Sequence, residues 1–253
     1  MNIILLGHRD IASLFALNRL IALSPAHDYT VFTSGAGTSE KTVPDALVEL
    51  ARVDAELCKQ YLAEYPVANV LRAALELQAP NSPAGLQLMA DCEPDLIVSI
   101  RYRRILRDDA IGMPRHGILN LHSGILPDYR GVMATFWAML NDEPEIGATL
   151  HRIVDSGIDT GPVIGISRVQ TQPRGSYLVN VLGLYIDGCS LLANTVDAMI
   201  RGEVRRVVPP PTGSGRYYST PDEAAMQRFS AKNLSLVRGN ELDLIPQVPC
   251  EAR

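Results

Sequence analysis

The amino-acid sequence predicts an α/β fold: a doubly wound, Rossmann-like and mostly parallel sheet with a short C-terminal appendage. Three observations predict it. Short apolar, β-branched runs recur at residues 2–6, 29–33, 95–100 and 117–122, the pattern of parallel strands buried on both faces. Longer stretches of helical spacing lie between them, and strands alternating with helices indicate crossovers that cover a central sheet. The chain of 253 residues is 47% hydrophobic and 20% charged, an ordinary globular composition with enough apolar material for a sizeable core.

Residues 2–6 end at Gly7, and Ile11, Leu14, Phe15, Leu17 and Ile21 follow at the spacing of a helix that packs on a sheet. Residues 29–33 form the next strand, and the small polar residues 35–42 read as a loop. Helical patterns occupy much of residues 45–77. Asn81, Ser82 and Pro83 set a helix start, because a capping side chain precedes a proline that needs no amide partner, and Pro94 closes that region. A helix is expected at 133–140, strands at 148–154 and 163–167, and a long apolar helix at 177–200 interrupted by Gly183 and Gly188. The main domain is placed at residues 1–204. Prolines 209, 210 and 211 with Gly213 and Gly215 mark a linker, and one short helix over 221–229 lies in the appendage, residues 205–253.

A formal net charge of −5 argues against a basic surface for nucleic acid. No apolar run is read as long enough to cross a bilayer, and the opening M-N-I-I-L-L-G lacks the cationic lead-in of a secretory signal, so no membrane partner is expected. Cys58, Cys92, Cys189 and Cys250 are widely spaced and have no ligand companions. Reduced thiols, a cytoplasmic location and no metal are therefore expected.

The most informative residues lie in N-L-H-S-G-I-L-P-D-Y-R-G, residues 120–131, and V-D-S-G-I-D-T-G-P-V-I, residues 154–164. Asn120 and His122 are two apart at a strand end, so both side chains project to one side. Asp159 sits between Gly157 and Gly161, whose flexibility lets a loop return a carboxylate toward that pair. In open α/β sheets the crevice at the carboxyl ends of the strands is the usual ligand site. An amide that steadies an oxyanion, an imidazole that handles protons and a carboxylate that orients it together suit acyl transfer.

The combination resembles the folate-dependent formyltransferase family, whose shared pattern is Asn-x-His, a Leu-Pro-x-aromatic-basic-Gly turn and an Asp-x-Gly-Pro loop. The matches are Asn120, His122, Leu126, Pro127, Tyr129, Arg130, Gly131, Asp159, Gly161 and Pro162. The likeness runs from Met1 to about Val204. It implies transfer of the formyl group of 10-formyltetrahydrofolate, a cosubstrate, to the primary amine of a small molecule. By that resemblance Asn120, His122 and Asp159 are catalytic, with His122 either an oxyanion donor or a proton shuttle. Main-chain groups of Arg104, Ile105 and Leu106 would bond the pterin, with Ile111 as a wall, and the loop carrying Val154, Asp155 and Ile158 would close the other side. The side chains of Arg101, Arg103 and Arg104 read as a solvated basic turn. Tyr129 and Arg130 shape the turn, Gly131 starts the next helix, and Phe136 and Trp137 belong to the core. Many relatives carry Ser where this chain has Gly124, so no contact from that hydroxyl transfers.

The segment L-G-H-R-D-I-A-S lacks the glycines that would let backbone amides cradle a phosphate, which disfavours glycinamide ribonucleotide as acceptor. Methionyl-tRNA enzymes resemble this opening but carry a further C-terminal domain, and the charge balance also speaks against tRNA. The first expectation is a nucleotide-linked amino sugar, the second a modified amino acid. Tyr217 or Tyr218 would stack on a base or pack against the main domain. Residues 205–253 would complete the acceptor pocket or form a homodimer contact. The alternative activity is 10-formyltetrahydrofolate hydrolysis, and a non-catalytic folate-binding protein is the third reading. A dinucleotide-dependent oxidoreductase lacks support, since Gly7 is not in a G-x-G-x-x-G turn.

Overall fold

The computed structural model describes residues 1–35, 43–203, 215–239 and 241. The expected loop at 36–42, the prolines and Gly213 of the linker, Cys250 and the tail after 241 lie outside the described residues.

The first strand, β1 (Asn2–His8), pairs in parallel with β2 (Asp28–Ser34) on one side and β4 (Leu96–Ser99) on the other. Helix α1 (Ile11–Leu23) crosses between β1 and β2, and its N-terminus is capped by Asp10, which accepts from the Ser13 amide at 2.8 Å. Helices α2 (Asp45–Glu64) and α3 (Asn69–Arg72) lead to β3 (Leu75–Glu76), a two-residue edge strand inside the stretch expected to be helical. With so short a strand, no alternation distinguishes it from the end of a helix in the sequence. Helix α4 (Pro83–Ala90) starts as expected, with Ser82 accepting from Gly85 N at 3.1 Å.

After β4 come a short α5 (Asp108–Ile111) and β5 (Ile118–His122), the last parallel strand of the main sheet. Strand β6 (Tyr129–Gly131), α6 (Ala134–Leu140), β7 (Glu145–Ile153), β8 (Val163–Gln170) and α7 (Tyr177–Ile200) follow. The final described elements are β9 (Arg216–Tyr218) and α8 (Glu223–Ala231). The seven-stranded order is β3-β2-β1-β4-β5-β7-β8, parallel through β5 and antiparallel at β7 and β8. The direction of winding reverses between β1 and β4, which puts the crevice of the switch point at the ends of those two strands, one strand away from β5.

One apolar cluster, with Phe15, Leu20, Tyr61, Leu182 and Tyr185, fills the sheet face under α1 and α7. A smaller one, with Ile4, Phe32, Met89 and Ile118, fills the other face. Helix α7 corrects one expectation: by length and composition it is apolar enough to cross a bilayer. In the fold most of it is buried, against α1, β7 and β8, because a helix covering a central sheet needs an apolar face of the same length.

Two elements tie the C-terminal stretch to the rest. Strand β9 pairs in parallel with β6, Arg130 opposite Tyr217, and the ring of Phe229 in α8 stacks on Phe136 at 4.4 Å between centroids.

Candidate active site

Strand β5 delivers Asn120 and His122 to one end of the sheet, and the loop after β7 brings Asp159 to them. Its Oδ2 lies 3.4 Å from His122 Nδ1, and its Oδ1 lies 3.4 Å from Asn120 Nδ2. The structure therefore gathers the three residues that the sequence singled out. Asp159 adopts φ 53°, a left-handed conformation that Asp tolerates better than most residues. The amide of Gly131 donates to the same Oδ2 at 2.8 Å. Gly131 ends β6 instead of starting a helix. Its φ of 95° is accessible to glycine, and a Cβ there would collide with the Tyr218 carbonyl.

A fourth side chain is present that sequence reasoning missed. His151 on β7 faces Asn120 in the antiparallel register, with Nε2 2.9 Å from Asn120 Nδ2 and 3.5 Å from Asp159 Oδ1. Its Nδ1 donates to the Arg152 carbonyl at 3.0 Å, which leaves Nε2 to accept from the amide of Asn120. The signal was a histidine in the strand preceding the Asp159 loop. What the sequence did not contain was the pairing of that strand with β5.

His122 is 8% exposed, and its Nε2 donates to the Tyr129 carbonyl at 2.6 Å. Its other nitrogen faces Asp159, so a ring carrying both protons gives each acceptor a donor. Gly124 permits this geometry: a Cβ there would sit 2.7 Å from His122 Nε2 and 2.6 Å from the Tyr129 oxygen. A serine would displace the imidazole, which gives the departure at Gly124 a steric reason. Burial alone would raise the Asp159 carboxyl, but the His122 and His151 rings and the Gly131 amide outweigh it and lower it from 3.8 to about 2.

These groups form the floor of a cleft of about 450 Å³. Arg104, Ile105, Leu106, Val154, Asp155 and Ile158 line it. Five of the ten large apolar side chains exposed among the described residues, Ile105, Val132, Val154, Ile158 and Tyr217, surround this one cleft, an apolar concentration typical of a ligand site. Arg104 turns its side chain away: Nε donates to the Gln78 carbonyl at 3.1 Å, leaving its main chain on the cleft side. Asn81 brackets Leu106, donating to the Ile105 carbonyl and accepting from Arg107 N, both at 2.8 Å. Asp155 accepts from Gly157 N at 2.7 Å and shapes the loop.

Two expectations are corrected, and of the two roles offered for Tyr218 the structure shows packing. Ile111 does not line this cleft; it packs with Leu106 in the smaller core cluster, since α5 turns it back under the sheet. Tyr218 stacks with Tyr129 at 5.4 Å and Trp137 at 5.0 Å, so its ring is committed to packing, whereas Tyr217 is half exposed at the cleft. Arg101 is not part of a solvated turn. Its guanidinium forms a bidentate pair with Asp10 at 2.7 to 3.1 Å, and the two side chains are 16% and 7% exposed. Phe136 is fully buried, as expected of a core residue, and Trp137 is partly buried beside it.

Residues 46–177, just over half of the chain, match the family described as Formyl transferase. A methionyl-tRNA formyltransferase from Thermobifida fusca is 33% identical over 222 residues, covering 80% of this chain and 70% of that protein. The chain belongs to the formyl transferase family. Matches to three further methionyl-tRNA formyltransferases cover only 42 to 59% of those proteins. Among solved structures, a sugar N-formyltransferase from a Shewanella species superposes with a TM-score of 0.57 and 14% identity, over 86% of this chain and 76% of that one. An N-formyltransferase from Helicobacter canadensis, in complex with folinic acid and dTDP-3-aminofucose, gives 0.53 and 17%, over 85% and 70%. At these identities the structural likeness establishes the α/β fold of this formyl transferase.

Proposed function

We propose that this formyl transferase moves the formyl group of 10-formyltetrahydrofolate to a primary amine of a small molecule, a nucleotide-linked amino sugar first and a modified amino acid second. The observation that carries the reading is the convergence of Asn120, His122 and His151 on Asp159 at the floor of an apolar-walled cleft. The apolar rim suits the flat folate ring. Asn81 supports its recognition: by engaging Ile105 O and Arg107 N, it fixes the main chain on both sides of Leu106 and makes no bond to that residue's own N–H and C=O. Those two groups suit the edge of a pterin.

In the reaction the amine nitrogen attacks the formyl carbon, a C–N bond forms, and the carbonyl pair moves onto oxygen. The amide of Asn120 donates to that oxygen, and His122 as an imidazolium offsets its charge. Collapse of the tetrahedral intermediate breaks the bond to the folate nitrogen, which takes up the proton given up by the amine. With its carboxyl held at about 2, Asp159 is too weak a base to keep that proton; it acts by orienting the His122 ring.

The Helicobacter neighbour supports the amino-sugar assignment, as does the exposed Tyr217 ring beside the cleft. The identity to methionyl-tRNA formyltransferases supports tRNA as a competing acceptor. The test is a panel of nucleotide-linked amino sugars, amino acids and methionyl-tRNA incubated with 10-formyltetrahydrofolate, with mass gain on each acceptor and free formate both recorded. A gain on an amino sugar with little formate is the expected result. Gain confined to methionyl-tRNA replaces the acceptor, and formate released without any amine replaces transfer by hydrolysis.

A further inference from the structure

One end of the cleft carries charge that the transfer chemistry does not use. The chain leaving β4 runs across the strand ends, placing Arg101 and Arg103 in the cleft lining together with Tyr177. Arg101 is buried and neutralised by Asp10 in the bidentate pair. Arg103 differs: its side chain is 53% exposed, and among the described residues its ionic contact is a 3.4 Å approach to the Asp10 oxygen already taken by Arg101. Two guanidiniums thus share one carboxylate. Asp54, the other acid at this end, accepts from Ile11 N, and burial together with Asp10 pushes its carboxyl upward, toward the neutral form. His8 is kept neutral by burial and by Arg103, so it adds no compensating charge. The backbone of Arg103 is fixed by its amide donating to Ser34 Oγ at 3.1 Å, which holds the side chain's root rigid at the cleft.

A partly exposed guanidinium with surplus donors, anchored in the same cleft as the reacting groups, is a fork for a carboxylate or phosphate. It also occupies the strand-end region where a glycine-rich loop would otherwise have bound an anion through its amides. We infer that Arg103, braced by the buried Asp10–Arg101 pair, recognises an anionic group on the acceptor, so that the amine formylated by this chain also carries a carboxylate or a phosphate. The inference rests on the transferase reading and names the residue that reads its acceptor's charge.

The test uses the full chain, 10-formyltetrahydrofolate and matched amines: an amino-sugar phosphate against the free amino sugar, and an amino acid against its carboxamide. The anionic member of at least one pair is formylated with a kcat/KM at least about tenfold higher, the scale of a hydrogen bond to a charged group. The pair that shows the preference identifies phosphate or carboxylate. Arg103→Ala raises KM for that anionic amine by about tenfold while kcat stays within a few fold, and Arg103→Lys recovers part of the loss. Neutral and anionic amines used equally well, or Arg103→Ala lowering kcat for both alike, overturn the inference while leaving formyl transfer standing. Formate release with no amine formylated overturns the transferase reading and the inference with it.

Discussion

Asp159 and Asp10 are both nearly enclosed carboxylates held below the ordinary range, yet one is ringed by histidines and the other by arginines. Around Asp159 the two histidine rings sit at 3.4 and 3.5 Å, loose enough to change geometry during a reaction. Around Asp10 the closest guanidinium contact is 2.7 Å within a fork that never gives up its proton. Similar desolvation pressure thus produces a reactive cluster on the β5–β7 side and a rigid clamp on the β1–β4 side. The partner's chemistry, more than the depth of burial, separates the two roles.

That contrast can be broken most severely at Asp159. Asp159→Asn removes the carboxylate that faces and orients His122, and kcat should fall by roughly 10²- to 10⁴-fold while folate affinity, read by direct titration, changes far less. Equal losses in both would make the residue structural. At the other carboxylate the expected damage is to folding: Asp10→Ala leaves Arg101 buried without its partner and should lower stability by about 3 to 5 kcal/mol in denaturant melts. A melt unchanged by the substitution would show that Arg101 finds water or another acceptor. Asn120→Ala should slow turnover by roughly 10²- to 10³-fold with little loss of stability, the signature of a missing oxyanion donor.

The gentlest probe is pH. His8 is lowered from 6.5 to about 4, first by burial and then by Arg103, so the unfolded chain takes up its proton before the folded one does. Stability is therefore lost as pH falls from about 6.5 through 4. Asp159, lowered from 3.8 to about 2, contributes fully above 3.8 and loses its contribution as pH falls toward 2. Thermal melts between neutrality and about pH 2 should show both steps. A flat profile down to pH 4 would remove His8 from the account.

Much of the architecture was legible because it rests on local signals. The expected long helix at 177–200 coincides with α7 despite its two glycines, and Ser82 caps α4 as its position before a proline indicated. The grouping of Asn120, His122 and Asp159 was legible because they lie in two short motifs. His151 was not, since its place in the site depends on β7 lying antiparallel to β5 with residue 151 opposite residue 120. The Asp10–Arg101 pair is separated by 91 positions and joins a helix cap to a strand exit, a union that no local pattern announces. The packing of Tyr218 and the inward turn of Ile111 were not legible for a related reason: side-chain direction is set by the tertiary partner, here the rings of Tyr129 and Trp137 and the core beneath α5.

The small β6–β9 ladder has a practical consequence. Its first strand ends at the residue whose amide clamps Asp159, and its second comes from the far C-terminal side of α7. Anyone trimming this protein to a minimal catalyst, or grafting its catalytic turn onto another scaffold, must carry residues 216–218 along. Without them the turn loses the backing that keeps its glycine amide in place.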